Sequence, residues 1–313
     1  MATALDKYAD MKPTWDGPVV IESHINGIRS KEMNPNTPVG YEEIAEDAIR
    51  CWEAGAGAIH AHNTSFDLLG ENAYKDYMRT WSTVLEKHPD ITWYPTTCNN
   101  LRLLPDEHGL EHVMYLNDHA HAEIACVDTG LTLFAIDTDE DGYLVGPEFG
   151  FNYARVGKQW RELRARGIPM VYGVYEPGHL RHAMYYVNQG MSTPGSMWDF
   201  YLIGDYGLTS MKPIGTNGMK PSLESLYYYL YMIEEAKVKH PWYISIWGRA
   251  RWMTPTSCAG RSNSAVTSRP GSSCSTTRTA TRRISNCSSR PRRSPARSAG
   301  RSPPTRKPGP CTS

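Results

Sequence analysis

The chain has 313 residues, which is long enough for one large α/β domain or two smaller ones, with a hydrophobic core of ordinary size. Its formal net charge is zero, but residues 1–248 carry all 33 acidic residues and 19 of the 33 Lys and Arg residues, whereas residues 249–313 carry 14 basic residues and no acidic one. No single globular design explains this division of charge.

Two further features limit the class of protein. The seven cysteines are irregularly spaced and form no C-x-x-C pair, which argues against a disulfide framework and favours a reducing compartment. No stretch approaches the roughly 18 apolar residues of a membrane span, and the N-terminal residues lack the apolar core of a secretion signal. We therefore predict a cytoplasmic protein without a membrane partner.

Residues 1–248 alternate short apolar, β-rich runs with longer amphipathic runs, as in repeated βα units around a parallel sheet. The predicted strands are, in chain order, VVIESHI (19–25), AIHAH (58–62), ITWYPTT (91–97), AEIACVD (122–128), MVYGVYE (170–176), DFYLIG (199–204) and WYISIWG (242–248). Amphipathic segments predicted as helices follow most of them, at 41–57, 71–88, 108–119, 153–167, 179–190 and 222–240. We interpret the pattern as seven βα units.

Residues 249–313 do not continue this pattern. Ser, Arg, Thr and Pro dominate the segment, and it contains no Leu, Phe, Tyr, Asp, Glu, Gln or His. Such a composition buries too little apolar surface to offset the entropy lost on ordering, so we predict a disordered tail. The predicted fold is thus an α/β (β/α)8 TIM barrel over residues 1–248 that has lost its eighth βα unit.

A shift of reading frame explains the abrupt change near Gly248. Ser, Arg, Thr, Pro, Ala and Gly are the residues that a GC-rich gene yields when it is read out of frame. With permitted synonymous codons and a shifted frame, residues 263–288 can encode LGGHVQAGLELFYDPDRNPTNLELL, which restores Leu, Phe, Tyr, Asp and Glu together. The string predicts an eighth strand, GGHVQAGL, followed by a loop and the start of a helix.

The stretch GAIHAHNTS places His60 and His62 two residues apart at the end of an apolar run. In a β-strand both side chains point to the same face, because side chains alternate with a period of two. Such a pair suits a metal ion, which commonly takes a carboxylate as a third ligand. A pair of hydrogen-bonded core histidines is the alternative interpretation.

These motifs together resemble those of the β-keto acid cleavage enzymes, which are zinc-dependent (β/α)8 barrels. The resemblance covers residues 17–248 and is clearest at GPVVIESHINGIRS, EEIAEDAIRCWEAGAGAIHAHNTS, YPTTCNN, MVYGVYEPG and MKPIGTNGMKPS. It implies that His60 and His62 bind zinc and that a Glu in an H-V-R-x-G-L-E-D motif of the last strand completes the protein ligands. This chain has Gly271, Ser272 and Ser273 at the positions where the shifted frame would place G-L-E.

Three catalytic positions are predicted from the same resemblance. The family's acidic residue after the first strand falls at Arg29, a departure that leaves Glu22 as the nearest carboxylate. Glu176 ends the fifth strand, where the active-site residues of a barrel gather.

Three substrate-binding positions are predicted as well. The resemblance places Thr96 and Asn99 at substrate contacts after the third strand. Lys220, in the Gly-rich loop near a helix start, suits a phosphate or carboxylate of the substrate or of CoA. Ordinary strand, turn and solvated-loop roles are the alternatives for these residues.

The resemblance implies a homo-oligomeric acyltransferase that condenses a β-keto acid with acetyl-CoA and releases acetoacetate and a new acyl-CoA. Zn²⁺ would act as a Lewis acid at the ketone oxygen. An amidohydrolase-like metal hydrolase is a second hypothesis, but that class carries H-x-H on its first strand. A third is a non-catalytic protein whose basic tail binds nucleic acid in a salt-dependent way; because the tail lacks interleaved aromatic residues, we predict no specific nucleic-acid partner.

Overall fold

The computed structural model describes residues 20–28, 30–32, 34–97, 110–207, 210, 212–247 and 264–266. The strands are β1 (Val20–His24), β2 (Ala58–Ala61), β3 (Trp93–Pro95), β4 (Ala125–Asp128), β5 (Leu131–Leu133), β6 (Asp137–Thr138), β7 (Leu144–Val145), β8 (Glu148–Gly150), β9 (Met170–Val174), β10 (Met197–Ile203), β11 (Trp242–Trp247) and β12 (Ser264–Val266). The helices are α1 (Tyr41–Glu53), α2 (Gly70–Lys87), α3 (Glu111–His119), α4 (Tyr153–Arg166), α5 (Pro177–Asn188) and α6 (Leu223–Ile233).

Each of the seven predicted strands overlaps a strand of the structure, and the six amphipathic segments are helices. The part of the chain that the structure describes therefore has one helix fewer than seven complete βα units require. Helix α2 shows why the pattern is informative: Ala73, Tyr77, Trp81 and Val84 recur every three or four residues and are all buried. In the described residues, every helix is too short or too polar to cross a membrane.

Eight parallel strands form two four-stranded sheets, in the orders β12-β1-β2-β3 and β4-β9-β10-β11. A parallel bridge between Trp93 and Ala122 connects β3 to the segment that precedes β4, and β11 lies beside β12. Chain order and strand order thus run together, and a helix lies between each pair of successive barrel strands from β1 to β11. This arrangement is the (β/α)8 fold class predicted from the sequence.

Strand β12 corrects one expectation about the tail. We expected no strand after β11, but Ser264–Val266 pairs in parallel with β1 in the register Val20 to Ser264, Ile21 to Ala265 and Glu22 to Val266. Parallel pairing uses backbone N–H and C=O groups, so an unusual sequence can still form it. The remainder of the predicted tail, and the proposed frame shift in it, lie outside the described residues.

The sequence interpretation missed a two-tiered hairpin after β4. Strand β5 pairs with β8 and β6 with β7, both antiparallel. At the tip, Asp139 Oδ1 accepts hydrogen bonds from the backbone N–H groups of Asp141 (3.1 Å) and Tyr143 (2.8 Å), and Gly142 has a φ of 88°. The hairpin extends from the C-terminal ends of the barrel strands, where sites form in this fold.

Candidate metal centre and its surroundings

The two predicted metal ligands lie together at the C-terminal end of β2. His60 is within the strand and buried, and His62 follows it directly and is half-buried. The two imidazole rings meet edge to face, with their centroids 5.1 Å apart. The structure therefore brings this pair together as the alternation of strand side chains predicts.

The backbone of His62 is fixed by Asn26, which follows β1. The Asn26 Nδ2 group donates a hydrogen bond to His62 O (3.0 Å), and His62 N donates to Asn26 Oδ1 (2.8 Å). A side-chain amide thus continues the β1–β2 ladder beyond the last backbone pair. The position of His62 is therefore set by two hydrogen bonds and not by the strand alone.

Both imidazoles are held in the neutral form. Burial lowers the pKa of His60 well below its usual value, and the neighbouring His24 and His62 act in the same direction. Burial, followed by His24, lowers the pKa of His62 to about 3. In each ring Nδ1 is buried and has no hydrogen-bond partner among the described residues, so the pair has the protonation state and the open nitrogens of metal ligands.

Two imidazoles fit two positions of a zinc site but do not complete it. Within the described ranges, no group of three His, Cys, Asp or Glu side chains converges as a metal site. The segment that would carry a third ligand in the shifted frame, residues 271–273, lies outside those ranges. The two imidazoles are therefore suitable zinc ligands, but a complete zinc site needs at least one more protein ligand.

Glu22 is connected to the histidine pair through His24 and Tyr94, two residues that the sequence interpretation missed. Its Oε1 accepts a hydrogen bond from His24 Nε2 (2.8 Å) and another from the Tyr94 hydroxyl. The Tyr94 oxygen also lies 3.2 Å from the Tyr243 oxygen. Burial lowers the pKa of His24, but the hydrogen bond and charge of Glu22, together with the charge of Asp199, outweigh burial and raise it overall.

The predicted substrate contact Thr96 lies next to the pair. Tyr94 is in register with His60 and Pro95 with Ala61, so Thr96 falls beside His62 on the neighbouring strand. Its backbone N donates to Ala61 O at 3.1 Å. The other two predictions near these strands, Arg29 and Asn99, lie outside the described residues.

A second group of predicted residues lies at the ends of β9 and β10, in the other sheet. Glu176 Oε1 accepts hydrogen bonds from Thr132 Oγ1 (2.9 Å) and from the backbone N of Gly218 (2.7 Å). It therefore links the hairpin to the Gly-rich loop. In that loop the side chain of Lys220 is 83% exposed, and its Nζ lies 3.7 Å from Asp205 Oδ1.

Gly218→Ala is expected to lower the free energy of unfolding by about 2 kcal/mol or more. Gly218 has a φ of 70°, and a Cβ there would lie 2.7 Å from Ile203 Cγ1 and 3.0 Å from Tyr175 O. Urea unfolding measures the effect. Gly178→Ala is the matched control, since a Cβ at that helical position meets no atom within 4 Å; equal stabilities of the two variants would contradict the expectation.

A pocket of about 350 Å³ opens beside His62. The loops after β1 and β2 form it, and Phe66, one of its lining residues, has its ring centroid 5.0 Å from that of His62. The lining mixes apolar side chains with amides and hydroxyls: Asn26, Gly27, Ile28, Ser30, Lys31, Thr37, Pro38, Val39, Ile44, Asn63, Thr64 and Phe66. Its size and lining suit a small organic ligand.

Two buried carboxylates of the barrel were also missed. Burial raises the pKa of Asp128, at the end of β4, to about 7, and it raises the pKa of Asp199, within β10, to about 7 as well. The sequence held a signal for both, because an acidic residue in an apolar strand is unusual unless it serves a purpose.

Parallel strand order, a neutral imidazole pair and an adjoining pocket define a (β/α)8 protein with a candidate metal centre at the C-terminal ends of its strands. The family model described as "beta-keto acid cleavage enzyme" matches residues 18–260. The chain belongs to this family, as its motifs predict.

Individual relatives of known name share less than a third of their residues with this chain over the matched parts. The chain is 27% identical over 180 residues to a 3-keto-5-aminohexanoate cleavage enzyme of Fusobacterium nucleatum, which is 55% of this chain and 58% of the relative. It is 30% identical over 108 residues to the enzyme of the same name from Acetoanaerobium sticklandii, covering 34% of this chain and 37% of the relative. The chain thus spans little more than half the length of the first of these curated relatives and about a third of the second.

Among solved structures, the ternary complex of ObcA with a C4-CoA adduct and oxalate matches with a TM-score of 0.48 and 13% identity, over 74% of this chain and 56% of that one. The homocysteine methyltransferase MmuM of Escherichia coli also matches with a TM-score of 0.48, at 12% identity, over 84% of this chain and 94% of that one.

Proposed function

We propose that this protein transfers the acyl group of a β-keto acid to CoA. The β-keto acid R–CO–CH₂–COO⁻ and acetyl-CoA exchange acyl groups, which gives R–CO–CoA and acetoacetate. The observation that carries the proposal is the pair of neutral imidazoles, His60 and His62, whose buried Nδ1 atoms have no hydrogen-bond partner among the described residues, in a chain of the β-keto acid cleavage family. The proposal includes a cytoplasmic location and a homo-oligomer.

His60 and His62 would hold a zinc ion, which when bound supplies Lewis-acid chemistry to a ketone oxygen. The neutral state of both rings supports this role, since a protonated imidazole cannot bind a metal. Asn26 keeps His62 in place through its two backbone hydrogen bonds. A third protein ligand is needed for a complete site, and the shifted frame of residues 263–288 would supply it as a Glu.

The keto acid would bind near the strand ends that carry His62 and Thr96, on the side where Phe66 connects His62 to the pocket. The pocket beside His62 has the volume for a small acid, and Thr96 lies on the neighbouring strand end. On the other sheet, Glu176 holds the loop that carries Lys220. The exposed ammonium group of Lys220 would attract a phosphate or carboxylate of the second substrate.

The test follows the carbon atoms. The purified chain is supplied with excess Zn²⁺, a panel of β-keto acids and acetyl-CoA labelled with ¹³C in both acetyl carbons. Acyl exchange places the label at C3 and C4 of acetoacetate. We expect weak labelling by this chain and about 100-fold less labelling by His60→Ala, because the variant loses a metal ligand. Breakdown of the keto acid without acetyl-CoA, or equal labelling by His60→Ala, would overturn the proposal.

A further inference from the structure

Three neighbouring strands place a row of three rings at one level of the barrel. His24 of β1 is in register with His60 of β2, and His60 is in register with Tyr94 of β3. The His60 ring centroid lies 4.8 Å from that of His24 and 4.7 Å from that of Tyr94. The imidazole of His60 is thus packed between two rings, one from each neighbouring strand.

One carboxylate connects the two outer rings. Glu22 Oε1 accepts the hydrogen bond of His24 Nε2 at 2.8 Å and the hydrogen bond of the Tyr94 hydroxyl. Glu22 is 5% exposed, and it lies two residues before His24, so both side chains share one face of β1. Neither outer ring can turn away from His60 without losing a hydrogen bond to this buried charge, which is the stronger kind of hydrogen bond.

We propose that Glu22 is a positioning residue that fixes the orientation of the His60 ring through His24 and Tyr94. These residues form a clamp, defined here as Glu22, His24 and Tyr94. The predicted catalytic role of Glu22 would require contact with substrate, whereas its two hydrogen bonds direct it to the rings that enclose His60. The effect of the clamp on metal affinity rests on the proposed function, whereas its geometry rests on the contacts among these side chains.

The clamp has a second anchor across the barrel. The hydroxyl oxygen of Tyr243, on β11, lies 3.2 Å from the hydroxyl oxygen of Tyr94. Both tyrosine side chains are fully buried. Because the Tyr94 ring is tied at its hydroxyl to two strands, the surface that it presents to His60 is rigid, which is the requirement for a preorganised ligand.

The first measurement needs neither metal nor substrate. Long-range ¹H–¹⁵N spectra of the full chain, labelled at histidine and free of metal, report the tautomer and mobility of each ring; loss of signals in His60→Ala assigns those of His60. We expect Glu22→Ala to shift or broaden the His60 signals and Tyr94→Phe to shift them. Glu22→Gln retains an oxygen acceptor for both donors and should restore signals close to those of the original chain.

The control is Tyr229→Phe, which removes another buried hydroxyl, the donor to Tyr175 O, and should leave the His60 signals in place. Unchanged His60 signals in folded Glu22→Ala overturn the proposal. If Glu22→Ala fails to fold, Tyr94→Phe decides, and unchanged signals in that variant overturn it equally.

The second measurement is the affinity for Zn²⁺ alone, by competition with a chelating dye. We expect Glu22→Ala to bind about 10-fold more weakly, the lower end of the range for residues that support metal ligands. If the original chain does not bind Zn²⁺ measurably, the comparison is made in the chain whose residues 263–288 are replaced by LGGHVQAGLELFYDPDRNPTNLELL. Failure of that chain to bind Zn²⁺ would show that the metal role in the proposed function is wrong, while the ring spectra still decide the clamp. Equal affinity of Glu22→Ala and the original chain, where both bind, would contradict the consequence for the metal.

Discussion

Replacing residues 263–288 by LGGHVQAGLELFYDPDRNPTNLELL is expected to raise the zinc content of the purified protein from well below one ion per chain to about one. The replacement supplies the carboxylate that His60 and His62 lack among the described residues. It also provides the eight-residue strand GGHVQAGL at the edge of β1, where Ser264–Val266 now forms three register pairs. A longer strand adds backbone hydrogen bonds to β1 and apolar contacts to the barrel interior.

Metal analysis after exhaustive dialysis and thermal unfolding measure the two effects. We expect a higher Tm for the replaced chain and about 100-fold more ¹³C-labelled acetoacetate, since a complete ligand set holds the ion through dialysis. The matched control carries the same string with Gln for the Glu of its G-L-E motif; it should keep the gain in Tm and lose the gain in zinc. Equal zinc content and equal melting of the original and replaced chains would contradict both the frame shift and the third ligand.

The strands and the histidine pair were predictable because they depend on local pattern. A parallel strand that is buried on both faces appears as a short apolar run, and the i, i+2 spacing of His60 and His62 fixes their common face whatever the neighbouring strands are. Family motifs then restricted the pattern to one fold.

The clamp was not predictable from local pattern, because it depends on register. Alternation places Glu22 and His24 on one face of β1, but it does not say which residue of β2 or β3 lies beside them. The pairing of His24 with His60 and of His60 with Tyr94 places both outer rings beside His60, and their hydrogen bonds show that one carboxylate serves both. A tyrosine in an apolar strand such as ITWYPTT otherwise appears as core.

The hairpin after β4 was not predicted from the sequence for a different reason. Its apolar residues Leu133, Tyr143 and Leu144 are exposed, so they do not follow the buried periodicity that identifies strands. The Asp-Gly dipeptide at Asp141 and Gly142 was the available signal, since it favours a tight turn between paired strands. The sequence of strand β12 carries no such signal. Its backbone pairing with β1 is what identifies it as a strand.

The buried carboxyl group of Asp128 is expected to make the protein less stable as the pH rises towards neutrality. Asp128 is 5% exposed, and burial raises its pKa to about 7, although its hydrogen bond with Tyr175 opposes the shift. An unfolded Asp titrates near 3.9. Between these values the folded protein keeps a proton that the unfolded chain has lost, so the favourable contribution is complete below about pH 4 and is lost as the pH rises through 7.

Asp128→Asn should therefore raise the free energy of unfolding more at pH 7.5 than at pH 5, by on the order of 2 kcal/mol. Burial raises the pKa of Cys126 and of Tyr201 well above their usual values, so these two neighbours stay neutral over the range and Asp128 is the group of the three that titrates. Urea unfolding of both proteins at the two pH values gives the double difference. Asp118→Asn, which alters an exposed carboxylate paired with Arg166, should change the free energy by less than about 0.5 kcal/mol at either pH. An equal effect of Asp128→Asn at pH 5 and pH 7.5 would show that its carboxyl group does not change charge between them.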